Sequence, residues 1–244
     1  MRKTEETRSA TDSPALFDVG RLEEAGLKVA ERRYEPGETI FMRGDPADRL
    51  YLLVEGMVRV CKVYGNYSQA TIALLKDRGG FGEFDLFGRD QQSASAQAMT
   101  GCTVASIRKS DLKLAMGRRP DLAVELFSVF SEKLRHSEQT MGVLLHREVS
   151  DRLISLLPLL EERFGNREAA RDELTIPLTH GELAETIACT REAVTKVLGE
   201  FRNEGFIELG QRKIKVKDRA ALEERATGNG GSLVESLSMG RLKA

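Results

Sequence analysis

The chain has 244 residues, 31% of them charged and 41% hydrophobic, and a formal net charge of −1. That length can bury a sizeable core in one or two domains, and the composition is that of an ordinary soluble protein. Without a generally basic surface, any contact with nucleic acid must come from a local patch. The three cysteines, Cys61, Cys102 and Cys189, are odd in number, far apart and without CxxC spacing. They point to a reducing, cytoplasmic setting and away from a disulfide framework, a zinc site or an iron–sulfur site. The opening MRKTEETRSATDSP lacks an apolar core, so no secretory signal is expected there. The longest apolar stretch, LISLLPLL, is too short for a bilayer and holds Pro158, so no membrane contact is expected.

In chain order, residues 1–16 are charged and rich in Ser and Thr, and are expected to form a disordered tail. From Leu27 to Arg108 the segments YLLVEG, MVRVCKV, ATIALLK and TVASIR are short and rich in β-branched residues. Turn signals at Pro36–Gly37, Gly44–Pro46, Gly56 and Gly65–Asn66 separate them. Such close, even spacing predicts an antiparallel barrel or jelly roll, a domain over 17–120. The hydrophobic period then changes. Leu122, Leu126, Phe130, Leu134, Met141, Leu144 and Leu145 recur at helical spacing, and Asp121 after Pro120 can begin a long helix that, with a hinge, covers 121–148. A row through Leu126, Phe130, Lys133, Ser137, Thr140 and Leu144 steps by four and three, as the seam of a two-helix dimer does. The competing expectation is a helix packed on its own barrel; in the dimer, the plain role of the polar middle of the row is to fix helix register.

After Ser150, DRLISLLPLLEERFG is a second helical segment, which Pro158 should kink. A helical and hairpin domain is expected over 149–225, and 226–244, opening on Gly and Asn, reads as a flexible tail. Within this domain, Thr179 with Glu182 three residues on makes a capping box for a short helix whose inner face is Leu183, Ala184 and Ile187. A turn follows through Ala188 and Cys189. Thr190 can cap the next helix, with Val194, Val197, Leu198 and Phe201 on its buried side. Together these form a helix-turn-helix. Gly205 ends the second helix, and FIEL and KIKV flank GQRK as the hairpin of a winged helix. Arg191, Glu192, Thr195 and Lys196 on the exposed side suit base reading, since Arg donates twice to guanine and Glu accepts from the cytosine amino group. Thr179, His180 and Thr190 at the helix starts, with Arg212 and Lys213 in the wing, suit the phosphate backbone. The plainer alternative makes Arg191 and Glu192 ordinary solvated residues.

The order of these parts, with PGETIF, GDPADRLYLLVEGMVRV, GE followed by the SA pair, and TREAVTKVL, resembles the cyclic-AMP receptor protein/FNR family of bacterial transcription regulators over roughly Leu27 to Arg219. DRLYLLVEGMVRVCKVY, ALL and HREVSDRLISLLPLLEERFG are similar to its cyanobacterial nitrogen-control branch. The resemblance implies an α+β chain: an N-terminal β-roll (a jelly-roll, cyclic nucleotide-binding-like domain), a long dimerisation helix, and a C-terminal winged helix-turn-helix domain. It implies a homodimer on double-stranded DNA, with half-sites about one helical turn apart and RNA polymerase as a further partner. The Arg191–Glu192 pair goes with a TGTGA-like half-site. Lys196 stands where the family usually has Arg, Ala188 where glycine is common, and Glu148, Val149 and Ser150 at the hinge. No Walker A loop, HExxH or nucleophile elbow is present, so no enzyme, catalytic residue or metal is expected.

The same resemblance marks Gly82, Glu83, Phe84, Gln92 and Ser93, with Lys133, Ser137 and Glu138, as effector-pocket candidates. In cyclic-nucleotide members the Glu bonds the ribose hydroxyl and an Arg–Ser pair holds the phosphate. Here Glu83 and Ser93 match, but Gln92 stands at the Arg position, a loss of roughly 1.5–3 kcal/mol of charge-assisted contact. Arg89 lies three residues earlier. On the helix, Ser137 aligns with an adenine-contacting residue and Glu138 replaces a small hydroxyl residue. The nitrogen-control branch holds 2-oxoglutarate between a helix cation and a cassette cation; Lys133 stands near the first, the second is missing, and Glu83 would repel the ligand. The sequence thus leaves open an unidentified small-molecule effector or none, cyclic AMP bound weakly, or 2-oxoglutarate. Two rivals stand beside the regulator: a β-roll sensor acting through protein partners, and a cupin-like enzyme, for which the strands lack a His/carboxylate metal set.

Overall fold

The computed structural model describes residues 19–24, 26–65, 68–76, 79–164, 175–176, 178–210 and 213–228. The tail expected over 1–16, residues 229–244 of the tail expected over 226–244, and Arg212 lie outside the described residues, while 226–228 belong to the last helix and not to a tail. The chain divides into two compact units, Met1–Lys62 with Ala73–Ser131, and Val63–Ile72 with Glu132–Ala244. The division therefore runs through the long helix and groups the tip of one hairpin with the second unit.

Ahead of the long helix come α1 (Val19–Glu24), β1 (Ala30–Tyr34), β2 (Thr39–Phe41), β3 (Arg49–Glu55), β4 (Met57–Tyr64), β5 (Ser68–Lys76) and β6 (Gly80–Phe81). They are followed by α2 (Glu83–Leu86), β7 (Ser95–Ala98), β8 (Cys102–Arg108) and α3 (Lys109–Arg118). The strands form two four-stranded sheets, ordered β1-β8-β3-β6 and β2-β7-β4-β5. Alternation of side chains along β3 and β8 gives the first sheet two apolar faces. Tyr51, Leu53, Cys102 and Val104 meet Phe41, Val58, Val60 and Ala96 of the other sheet in one core. Leu50, Leu52, Ala105 and Ile107 point the other way, into a second core closed by Leu22, Leu86, Leu112, Leu122 and Leu126. This is the expected β-roll, with helices covering one outer face. Gly56 alone links β3 to β4, at φ 97°, and a Cβ there would stand 2.5 Å from the Gly101 carbonyl oxygen. Only glycine meets both conditions.

The long helix α4 covers Asp121–Leu145. Leu126 is 5% exposed inside the second core and Phe130 packs against the same cluster. The two N-terminal members of the expected seam therefore face their own domain, because the outer leucines of the first sheet need that helix face to cover them. What α4 leaves in solvent is a different row: Val124, Phe127, Leu134, Met141 and Leu145, at 68, 71, 65, 65 and 72% exposure. Of the other expected seam positions, Lys133 and Thr140 are half-buried, Ser137 is exposed and Leu144 is 37% exposed.

The second unit contains α5 (Val149–Phe164), β9 (Thr175–Ile176), α6 (His180–Thr186), α7 (Arg191–Asn203), β10 (Ile207–Gly210), β11 (Lys213–Val216) and α8 (Arg219–Gly228). α5 is one helix with Pro158 inside it. Its buried Leu153, Ile154, Leu157 and Leu160 form the floor on which α7 and α8 pack. β9 adds a third strand to the wing, in the order β10-β11-β9; two residues carry no period from which to expect it.

Candidate nucleic-acid interface and effector cassette

The pair α6–α7 is built from local signals that the structure realises closely. The Thr179 hydroxyl accepts from the Glu182 amide at 3.2 Å, and the Glu182 carboxylate accepts from the Thr179 amide at 2.7 Å, completing the capping box. That carboxylate also accepts from the Thr179 hydroxyl at 2.8 Å, so this side chain is committed within the cap. Thr190 caps α7 by accepting from the Ala193 amide at 3.2 Å. Leu183, Ala184 and Ile187 of α6 and Val194, Val197, Leu198 and Phe201 of α7 are all buried. The opposite face of α7 presents Arg191, Glu192, Thr195 and Lys196, all exposed. Lys213 at the start of β11 is exposed as well.

Two couplings involving this pair were not legible in the sequence. The Thr195 hydroxyl is hydrogen-bonded to His180 Nδ1 at 2.9 Å, which orients it from the helix behind. Burial, with the Arg191 charge adding to it, holds the His180 pKa below its ordinary value. Second, Arg152 of α5 reaches out of its helix to three carbonyls: its Nε donates to His146 at 2.8 Å, and its Nη1 to Ile187 at 3.0 Å and Ala188 at 3.5 Å. One guanidinium therefore joins the residue just past α4 to the turn between α6 and α7. Ala188 itself sits at φ 51°, the one non-glycine residue with positive φ among those described. The turn thus holds an alanine in the left-handed region that favours glycine.

The cassette in the first unit is compact. Gly82, at φ 81°, turns the chain into α2, and a Cβ there would stand 2.8 Å from Tyr51 Cδ2. Glu83 is 3% exposed, Phe84 stands out at 63%, and Gln92 is 3% exposed with no hydrogen-bond partner for its Nε2. Ser93 bonds a residue the sequence reading passed over. Its amide and hydroxyl both donate to Asp85 Oδ2, at 2.7 and 2.8 Å. An acidic residue one turn from Arg89 and in a loop with a serine was the available signal. The remaining candidates stand on α4, with Lys133 half-buried and Ser137 and Glu138 exposed. Among the described residues no group of three or more His, Cys, Asp or Glu is arranged to hold a metal ion. No described helix is long and apolar enough to cross a membrane.

Residues 31–119 match the family model of the cyclic nucleotide-binding domain, and residues 151–225 that of the Crp-like helix-turn-helix domain. The global nitrogen regulator of Synechococcus elongatus is 31% identical over 218 residues, 88% of this chain and 98% of that one. The CRP-like cAMP-activated global transcriptional regulator of Mycobacterium tuberculosis is 28% identical over 210 residues, 84% of this chain and 94% of its own length. A solved CRP/FNR-family transcriptional regulator from Thermus thermophilus superposes with a TM-score of 0.66 at 29% identity, covering 82% of this chain and 100% of that one.

Two outcomes follow from the geometry of α6 and α7. Ala188→Gly relieves the left-handed alanine and raises the unfolding free energy by about 1 kcal/mol, read in urea titrations. His180, held below its unfolded value near 6.5, contributes stability that is present above that pH and lost as pH falls through the folded value. Urea unfolding between neutral and mildly acid pH will therefore show a downward slope on acidification that His180→Gln flattens.

Proposed function

The chain belongs to the cyclic-AMP receptor protein/FNR (CRP/FNR) family of DNA-binding transcription regulators, and from that premise we propose that it works as a cytoplasmic homodimer on a palindromic, TGTGA-like site. The observation that carries the proposal is the exposed face of α7, where Arg191, Glu192, Thr195 and Lys196 stand together on a helix whose other side is fully packed. Such a helix enters a major groove with its N-terminal residues against base edges. Arg191 is the guanine reader and Glu192 the acceptor for a cytosine amino group. Lys196 adds a point charge where a fork-shaped arginine would read a second guanine with more geometric demand. Thr190, His180, Lys213 and Arg212 are the backbone contacts in this reading. Thr179, whose hydroxyl is held in the capping box, contributes through its position at the helix start.

Dimerisation is supported by the exposed row on α4. Val124, Phe127, Leu134, Met141 and Leu145 follow steps of three, seven, seven and four, the positions of a heptad seam, with Ser131 and Glu138 filling the two intervening places. Five large apolar side chains at this spacing call for a second copy of the same helix. The seam proposed here is thus rotated from the row through Leu126 and Phe130. RNA polymerase is the further partner, and the role is regulatory and not enzymatic. The cyclic-AMP activation in the name of the Mycobacterium tuberculosis relative, and 2-oxoglutarate sensing, are weaker readings for this chain, because Gln92 brings no cation to the cassette.

Selection from random DNA with the full chain, with and without metabolites, tests the main reading and should enrich a palindrome. Enriching none under any condition would overturn it. Arg191→Ala should weaken the selected site by about 1–3 kcal/mol and relax the preference at a single base pair. Leu134→Lys should leave the fold intact, yield a monomer in sedimentation, and weaken operator binding by about tenfold or more.

A further inference from the structure

Asp85 is 4% exposed, yet no part of the DNA reading uses it. Both of its carboxylate oxygens are engaged. Oδ2 accepts from the amide and the hydroxyl of Ser93 at 2.7 and 2.8 Å, and the Arg89 Nε stands 3.6 Å from Oδ1. A main-chain N–H, a hydroxyl and a guanidinium converging on one group form the donor set that small oxyanions select, and hydrogen bonds to a charged acceptor are the strong ones. The Ser93 donors are also pre-placed, while Arg89 approaches from solvent with its side chain 69% exposed. Gln92 N–H donates to the Asp45 carbonyl at 2.8 Å, Gly44 N–H to the Gln92 carbonyl at 2.9 Å, and Ala47 N–H to the Asp90 carbonyl at 2.9 Å. These bonds hold the segment that leads from Asp90 through Ser93 into β7 in place. Beside it the Gln92 amide is buried with an unused donor, where buried polar groups are otherwise paired.

We infer that Asp85 is the resident occupant of an oxyanion seat formed by Ser93 and Arg89, so that the domain matched by the cyclic nucleotide-binding model is closed at that seat to cyclic nucleotides and other small oxyanions. The inference rests on reading this domain as the effector module of the regulator. An incoming phosphate would have to displace a carboxylate already tied to the same donors, and two anions cannot share them. The seat is therefore self-filled, and the regulator does not wait for an anionic effector there.

Cyclic AMP titrated calorimetrically into the full chain, without DNA, tests this separately from DNA reading. The unmodified chain is expected to give no saturable binding up to about 1 mM, whereas Asp85→Ser, which removes the carboxylate, binds at least about tenfold more tightly. Asp85→Ser/Gln92→Arg, which also supplies a cation, should bind more tightly again, and nucleotide should raise the thermal midpoint of the variants alone. Saturable binding by the unmodified chain, as tight as in the variants, overturns the inference whatever the variants do. So does a failure of both variants, folded by thermal unfolding, to bind better than the unmodified chain. In the unmodified chain the Ser93 amide proton should resonate downfield and move upfield in Asp85→Asn; an unmoved resonance counts against the carboxylate as its acceptor.

Discussion

The second unit is organised around one planar cation. Helix ends leave carbonyls without partners, and a turn between two short helices leaves more. Arg152 serves both at once, from His146 beyond α4 to Ile187 and Ala188 in the turn. It can do so because its neighbours Leu153 and Ile154 are fully packed in the α5 floor, which fixes where the guanidinium starts. A rigid fork keeps its donors in a set geometry, whereas a lysine ammonium is a single point of charge on a flexible stem. The end of α4 and the turn that leads into α7 are thus referred to the same side chain. The left-handed Ala188 is tolerable in this setting because its carbonyl lies within reach of that fork and its neighbours are held on both sides.

Charge shows the same economy. The chain is almost neutral overall, yet α7 presents two cations and one carboxylate on a single exposed face. The wing strands keep their own lysines in check, with Glu208 lying 3.7 Å from Lys215 and 3.4 Å from Lys217. Affinity for a polyanion here is a matter of placement rather than of total charge.

How much could be read in advance depended on how local each feature is. The capping box, the packed faces of α6 and α7 and the N-cap at Thr190 are set by spacings of three or four residues, and the structure reproduces them. The face of α4 is different. Leu126 and Leu134 look alike in a periodic pattern, and only the outer leucines of the β-roll decide which one is covered. β6 and β9, at two residues each, have no period at all and exist because a longer strand offers them an edge. The partners of Asp85 and Arg152 were hard to read for a related reason. Each acts on groups brought near by folding, eight residues away in one case and thirty-five in the other. The cassette also marks the limit of a family match. Its backbone shape is that of a nucleotide-binding domain, while the chemistry of its seat is set by one side chain, and fold and function part at that point.

An occupant carried on the same backbone has a fixed effective concentration, set by the few bonds that tether it. It cannot be washed out, competed away by dilution, or raised and lowered by metabolism. For a regulator whose anion seat is filled in this way, a cell has lost one dial and kept another. One signal it can still change is dose, meaning how many copies of the chain are made and how long they last.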